Sequence, residues 1–195
     1  MFDASILFPS LLNGLTTGAV YALVALGLTL IYGVLHIINF AHGAVLMVAL
    51  YAVYLLKSQL GIDPYLALPL VAGAMFVLGY ALQRFVINRA SHGKDENILL
   101  VTLGLAIVLE NLALLAFKSD TRTIETAYTL TTVPIGPAFI ALPKLLACVG
   151  ALACAALLIW LVRRTDLGRA IRAVAKEKQG ARLVGIDVDH VYAMS

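Results

Sequence analysis

The chain has 195 residues, of which 62% are apolar and 13% charged, and its formal net charge is +3. Its mean hydropathy is +0.95. A soluble domain of this length needs more polar surface around its core, so the composition excludes an ordinary soluble protein and indicates a membrane protein. Because lipid cannot satisfy backbone polar groups and no alternating strand pattern is present, we predict an all-α, polytopic membrane helix bundle.

The first long apolar stretch runs from Ala4 to Leu56 without one Asp, Glu, Lys or Arg. A span needs roughly 20 apolar residues, so this stretch predicts two spans. Three more apolar windows follow, and residues 188–195 are typical of the start of a sixth span. We expect a single transmembrane domain over 1–195, truncated at its C-terminus, with spans at 8–34, 42–57, 64–84, 97–117 and 144–162.

Basic residues predict the orientation of these spans. Arg84, Arg89 and Lys94 form one basic loop, and a longer loop at 163–189 holds seven more Lys and Arg. The positive-inside rule places both loops in the cytoplasm. The connection 118–144 is then external, and its Pro and Gly content predicts an irregular segment. With two spans in the first stretch, as we expect, the N-terminus is external. With one span and a re-entrant piece, the N-terminus would be internal.

A polar seam interrupts the uncharged stretch at His36, Asn39, His42 and Gly43. On a helix, the three polar side chains would broadly share one face. Polar groups at membrane depth face protein or a wet cavity. The seam therefore fits equally a pathway or gating element at a helix junction and a wet turn between two spans at the cytoplasmic interface. Two His without a carboxylate or thiolate are a weak ligand set, so no metal site is expected.

Other polar residues lie within predicted spans. Asn13, Thr16 and Thr17 accompany a Gly14/Gly18 pair, which fits either a transport path or helix packing. Glu110 is the acid inside the fourth span, and an intramembrane acid indicates either a transport role or an interhelical hydrogen bond. Gly104 beside Thr102 could loosen that helix and expose backbone groups to a cavity.

The 163–189 loop has its own pattern. Thr165 and Asp166 offer an N-cap, and an apolar stripe follows at helical spacing, ending near Gly185. A basic amphipathic helix of this kind either lies on anionic lipid or docks on a soluble partner, and the residues alone leave both open. The stripe and its continuation comprise Leu167, Ala170, Ile171, Val174, Ala175, Ala181, Leu183 and Val184.

Motifs for catalysis or nucleotide binding are absent from the sequence. It contains neither G-x-x-x-x-G-K-[ST] nor G-x-G-x-x-G, so any ATP hydrolysis would need a separate subunit. It also lacks H-E-x-x-H and a nucleophile elbow. We therefore expect no enzymatic activity in this chain, and no cofactor, no metal and no nucleic-acid partner.

Three stretches resemble the permease subunits of bacterial branched-chain amino acid ABC importers. The first is LNGL at 12–15 with GAVYAL at 18–23 and NFAHG at 39–43. The second is LVTLGL at 100–105. The third is TDLGRAIRA at 165–173 with ARLVGI at 181–186. The resemblance extends over the whole chain.

The resemblance implies a multi-pass protein of the bacterial inner membrane that moves branched-chain amino acids or related small amino acids and amides inward. It implies a second permease, cytoplasmic ABC ATPases and a periplasmic substrate-binding protein as partners. It also implies that the 163–189 loop couples to the ATPase. The coupling residues would be Thr165, Gly168, Arg172, Ala175, Glu177, Ala181 and Gly185.

The candidate translocation path combines the polar positions inside the spans. The alternative function is a proton-coupled secondary transporter in which Glu110 and His42 relay protons. The path residues are Asn13, Thr17, His36, Asn39, His42, Gly43, Thr102, Gly104 and Glu110.

Overall fold

The computed structural model describes residues 4–91, 95–126, 128–136 and 138–194, so Lys94, Pro137 and Ser195 lie outside the described residues. Helices dominate the described chain. In chain order the elements are α1 (Ala4–Leu35), α2 (His42–Leu60), α3 (Pro64–Ala81), a π-helical segment (Leu82–Ile87), α4 (Asn88–Ser91), α5 (Asp95–Phe117), β1 (Thr132–Ile135), β2 (Ala138–Ala141), α6 (Leu142–Arg164), α7 (Asp166–Lys176), α8 (Lys178–Leu183) and α9 (Val188–Met194).

Five helical stretches among the described residues are long and apolar enough to cross a membrane, which confirms the polytopic helical fold. Few of their residues are buried in the isolated chain. This exposure is expected where lipid or another subunit covers a helix. The stretches are Leu7–Val34, His42–Leu60, Pro64–Ala90, Asn97–Phe117 and Leu142–Arg164.

Local sequence explains the tight turn between α2 and α3. Gly61 ends α2 in the left-handed conformation (φ 67°), and its N–H donates to the carbonyls of Leu56 and Lys57. Glycine adopts this conformation without steric penalty. Asp63 then caps α3 by accepting a hydrogen bond from the Tyr65 N–H at 2.9 Å, and Pro64 occupies the first helical position. The helices α2 and α3, which follow one another in the chain, are therefore joined by a short, well-defined turn.

The third span changes its winding near its C-terminal end. Residues Leu82–Ile87 are π-helical, and the helix continues as α4. Gln83 is buried there, and its Nε2 donates to Oδ1 of Asn88 at 2.9 Å. A π-helical bulge is rare and often accompanies a functional site.

The prediction of an irregular segment at 118–144 is wrong over Thr132–Ala141. β1 and β2 pair antiparallel there, with Val133 opposite Ile140. Gly136 takes a positive φ of 61° in the intervening turn. The β-branched and aromatic residues around the turn favour strands, and burial of Ala138 and Ile140 stabilises the pair.

The chain forms two compact units. The first comprises residues 1–29 and 125–168, and the second comprises 30–124 and 169–195. The second unit contains two apolar clusters. The loop cluster consists of Val34, Ile171, Val174, Ala181, Val188 and Val191. The span cluster consists of Ile37, Ile87 and Ile98.

Candidate functional site

The polar seam forms the connection between α1 and α2. Residues 36–41 are not helical, so the expectation that His36, Asn39 and His42 share a helix face is wrong. His36 adopts a left-handed φ of 57°, which ends α1. Oδ1 of Asn39 accepts from the Ala41 N–H at 2.9 Å, a local turn that starts α2 at His42.

A long-range hydrogen bond holds this connection against α5. Oγ1 of Thr102 accepts from the Phe40 N–H at 3.3 Å and donates to the Leu99 carbonyl at 3.1 Å. Thr102 is only 1% exposed. The Thr102 hydroxyl therefore holds the α1–α2 connection against α5. The expectation that Gly104 loosens the helix is wrong, because α5 is continuous through it.

A seam cavity of about 230 Å³ lies beside Asn39 and His42. The π-helical segment contributes Gln83 and Ile87 to its wall, and α3 contributes Tyr80. The cavity therefore places amide, imidazole and phenol groups among apolar side chains. Sequence reasoning missed Gln83 and Tyr80, which lie near the end of an apolar window, because only the packing of α3 beside the seam brings them together.

Tyr80 also connects α3 to α9. Nη1 of Arg84 donates to the Tyr80 hydroxyl at 2.9 Å, and this oxygen lies 3.3 Å from Nδ1 of His190. The end of the third span is thus hydrogen-bonded to the helix that follows the 163–189 loop.

Glu110 is not brought to the seam. Its side chain is exposed on α5, and no hydrogen bond or ion pair joins it to another described residue. At ~1.5 Å per residue, Glu110 lies about 12 Å further along α5 than Thr102. The structure therefore does not join Glu110 and His42 into a direct proton relay.

Asn13 and Thr17 belong to the first unit. Oδ1 of Asn13 accepts from Nζ of Lys144 at 3.2 Å, and its Nδ2 donates to the Pro9 carbonyl at 3.2 Å. Thr17 is exposed, whereas Thr16 is buried and donates to the Leu12 carbonyl at 3.0 Å. Thr16 is thus hydrogen-bonded to its own helix.

The predicted N-cap at Thr165 is present. Oγ1 of Thr165 accepts from the Gly168 N–H at 3.1 Å at the start of α7. Gly168 is buried, and a Cβ there would collide with the backbone of Val162. A glycine is therefore required for this close approach of position 168 to the Val162 backbone.

The apolar stripe of α7 is covered largely by the chain itself. Ile171 and Val174 are buried in the loop cluster against Ala181 of α8 and Val188 of α9. These side chains are therefore not available to lie on lipid, whereas Arg172 is exposed and Ala175 half-buried.

The end of α8 presents an exposed apolar tip, defined as Leu183, Val184 and Gly185. Leu183 is 89% exposed and Val184 is 76% exposed. Gly185 ends this turn with a φ of 85°. Glu177 caps the other end of α8 by accepting from the Gln179 N–H at 3.3 Å. From the sequence, Leu183 and Val184 belong to the short apolar stretch that continues the stripe, and nothing in the sequence marks them as surface residues.

Comparison with known proteins identifies the family. Residues 10–195 match the family described as branched-chain amino acid transport system / permease component. The chain belongs to this family. It is 30% identical over 197 residues to the high-affinity branched-chain amino acid transport system permease protein BraD of Pseudomonas aeruginosa, covering 95% of this chain and 64% of the relative.

Two further relatives agree. The permease proteins LivH of Salmonella typhimurium and of Escherichia coli, described by the same transport system name, are each 30% identical over 196 residues. The alignment covers 94% of this chain and 63% of each LivH. The chain thus spans less than two thirds of the length of these relatives. No solved structure matches it.

The seam cavity is thus lined by hydrogen-bonding groups among apolar side chains, and the tip exposes two apolar side chains. Among residues 4–91, 95–126, 128–136 and 138–194, no group of three His, Cys, Asp or Glu is placed to hold a metal ion.

Proposed function

We propose that the chain is a permease subunit of an ATP-driven ABC importer that moves branched-chain amino acids, or related small amino acids and amides, into the bacterial cytoplasm. The observation that carries the proposal is the family match over residues 10–195. The five apolar helices fit a multi-pass protein of the inner membrane.

The seam cavity is the proposed inner part of the translocation path. Asn39, His42 and Gln83 provide hydrogen bonds to a polar solute, and the surrounding apolar side chains suit an aliphatic one. Thr102 accepts a hydrogen bond from the seam at Phe40, and Gly43 follows His42 in the first turn of α2. Glu110 and Thr17 are exposed in this chain, so in the proposal they face a second permease rather than lipid, which offers a carboxylate no partner.

The 163–189 loop is the proposed ATPase-coupling element. Its apolar tip is the part that a cytoplasmic subunit would cover, because a Leu and a Val this exposed gain free energy on burial. Arg182 is exposed beside the tip and Arg172 is exposed on α7, and both cations would suit an acidic partner surface. Thr165 caps α7, Gly168 allows a close backbone approach, and Ala181 packs in the loop cluster. Ala175 and Glu177 lie between Gly168 and Ala181 in the sequence.

The proposed assembly has four kinds of component: this permease, a second permease, cytoplasmic ABC ATPases and a periplasmic substrate-binding protein. The basic loop 163–189 would face the cytoplasm, as would Arg84 and Arg89, which lie in the helical end of the third span rather than in a loop.

The decisive experiment measures ATP-driven leucine uptake in proteoliposomes that contain the complete transporter. We expect Gly185→Asp and Glu177→Lys to abolish uptake while the chain still inserts into the membrane. Glu125→Lys is a matched charge reversal at an exposed position outside the loop and should leave uptake unchanged. Normal uptake in both loop variants would contradict the proposal.

A further inference from the structure

A second cavity of the same unit lies towards the C-terminal end of α2. Its volume is about 690 Å³, within the ~300–1,000 Å³ range of small-molecule sites. The helices α2 and α3 provide its walls, and the segment that follows α5 provides Asp120 and Arg122. We call it the aromatic vestibule, because Tyr51, Tyr54 and Tyr65 line it together with Leu68.

Packing fixes the aromatic wall. The ring of Tyr51 stacks on Phe117 at the end of α5, with centroids 4.0 Å apart and an interplanar angle of 12°. Tyr54 and Tyr65 are half-buried on the adjoining helices. The vestibule therefore has a largely apolar lining that accepts an aliphatic group, with phenol oxygens at intervals.

A left-handed residue directs the charged segment to the vestibule. Lys118 adopts a φ of 59°, and its N–H donates to the Leu114 carbonyl at 2.8 Å, which closes the end of α5. For a lysine this conformation costs free energy, and such local strain is typical of sites where the chain must turn in one direction. The turn brings Asp120 and Arg122 to the wall of the vestibule.

The ion pair of Asp120 and Arg122 leaves both side chains with further hydrogen-bonding capacity. Nη2 of Arg122 lies 3.4 Å from Oδ2 of Asp120 and 3.5 Å from the Phe117 carbonyl. The side chains are 39% and 70% exposed, so both retain room for further hydrogen bonds. A guanidinium has five N–H donors and a carboxylate four acceptor positions, and one mutual contact leaves most of them available.

We propose that the aromatic vestibule binds a free aliphatic α-amino acid as its zwitterion. Arg122 receives the α-carboxylate, Asp120 receives the α-ammonium, and the side chain lies against Tyr51, Tyr54 and Leu68. An α-amino acid carries its ammonium and carboxylate on one carbon atom, so its two charges match a cation and an anion that are in contact. In a phosphatidylethanolamine headgroup a two-carbon link separates the ammonium from the phosphate. The choice of an amino acid rests on the proposed function.

A photoreactive leucine tests this binding directly. The full chain is placed in nanodiscs of phosphatidylcholine and phosphatidylglycerol, irradiated with the diazirine analogue of leucine, and mapped by mass spectrometry. We expect adducts on the segments that carry Tyr51, Tyr54, Tyr65 and Leu68. Excess leucine should suppress them, but 4-methylpentanoate, which lacks the ammonium, and leucine amide, which lacks the carboxylate, should not.

Variants connect the adducts to the charged pair. Arg122→Gln should reduce vestibule labelling by about tenfold, the effect of losing a hydrogen bond to a charged group. Arg122→Lys should retain part of it. Lys57→Gln removes a positive charge from the last turn of the same α2 helix without touching the lining, and it should label like the parent chain.

Several outcomes overturn the inference. These are absence of labelling in the parent chain, equal labelling in Arg122→Gln, equal suppression by either monofunctional analogue, or loss of labelling when phosphatidylethanolamine replaces phosphatidylcholine, which would identify a lipid site. The labelling needs neither ATP nor an ATPase. Intact labelling without ATP-driven uptake would therefore reject the proposed function alone, and normal uptake without labelling would reject the vestibule alone.

Discussion

Thr102 and Phe40 are 62 positions apart, yet the Phe40 N–H donates to Oγ1 of Thr102 at 3.3 Å. This hydrogen bond joins a buried position of α5 to the non-helical connection between α1 and α2. Because the connection 36–41 is not helical, side-chain acceptors of this kind hold it in place. The geometry of the seam cavity thus depends on a residue that does not line it.

Replacing Thr102 by valine tests this dependence. Thr102→Val keeps the shape of the side chain but removes the acceptor, so we expect a loss of ~1 kcal/mol in stability. Hydrogen exchange of the Phe40 amide should accelerate, which mass spectrometry with deuterium labelling measures. Thr102→Ser retains the hydroxyl and should keep the amide protected. Equal protection in the valine variant would show that the bond does not hold the seam.

Gly168→Ala tests the close approach of Gly168 to the Val162 backbone. The added Cβ would meet the Val162 backbone, which cannot move aside as a flexible side chain can. We expect a loss of ~1–3 kcal/mol in stability, measured as a lower unfolding temperature in detergent. Gly150→Ala is the matched control within α6, since its Cβ meets nothing within 4 Å. An unfolding temperature unchanged from the parent in Gly168→Ala would contradict the close approach.

The apolar tip gives a prediction for partner binding. Leu183→Ala combined with Val184→Ala should leave folding intact, because both side chains are exposed. If a cytoplasmic ATPase covers the tip, its affinity should fall by about 2 kcal/mol, roughly 30-fold in Kd, in a pull-down titration with the purified subunit. Leu130→Ala truncates a side chain that is 93% exposed in the segment before the hairpin, and it should bind normally. Unchanged affinity in the double variant would move the docking surface elsewhere.

Glu110→Gln distinguishes the two transport mechanisms. In the proposed importer, uptake should still require ATP and ignore an imposed proton gradient, and it should fall only about fivefold, the effect of weakening one polar contact by ~1 kcal/mol. The measurement is leucine uptake in proteoliposomes with and without ATP and a pH gradient. Asn111→Leu removes the neighbouring polar side chain and controls for local polarity. Gradient-driven uptake without any ATPase, abolished by Glu110→Gln, would establish the secondary transporter instead.

Sequence alone was sufficient for the helical class, because it depends on local composition. Lipid leaves backbone groups no partner, so an apolar window of sufficient length must be helical wherever its neighbours lie. The Thr165 cap was predictable for the same reason, since it involves residues three positions apart. The hairpin at Thr132–Ala141 was missed because its Pro and Gly residues favour a loop, and the burial of Ile140 that stabilises it is not local.

Tertiary structure decided how the polar residues are grouped. The sequence determined that Asn39, His42, Thr102 and Glu110 lie within or beside apolar windows. Only packing placed Gln83 with the first two, buried Thr102 against Phe40 and left Glu110 exposed. Such contacts join residues tens of positions apart, and no local periodicity encodes them. The same holds for the Tyr51–Phe117 stack and the α7 stripe, whose covering surface comes from other elements.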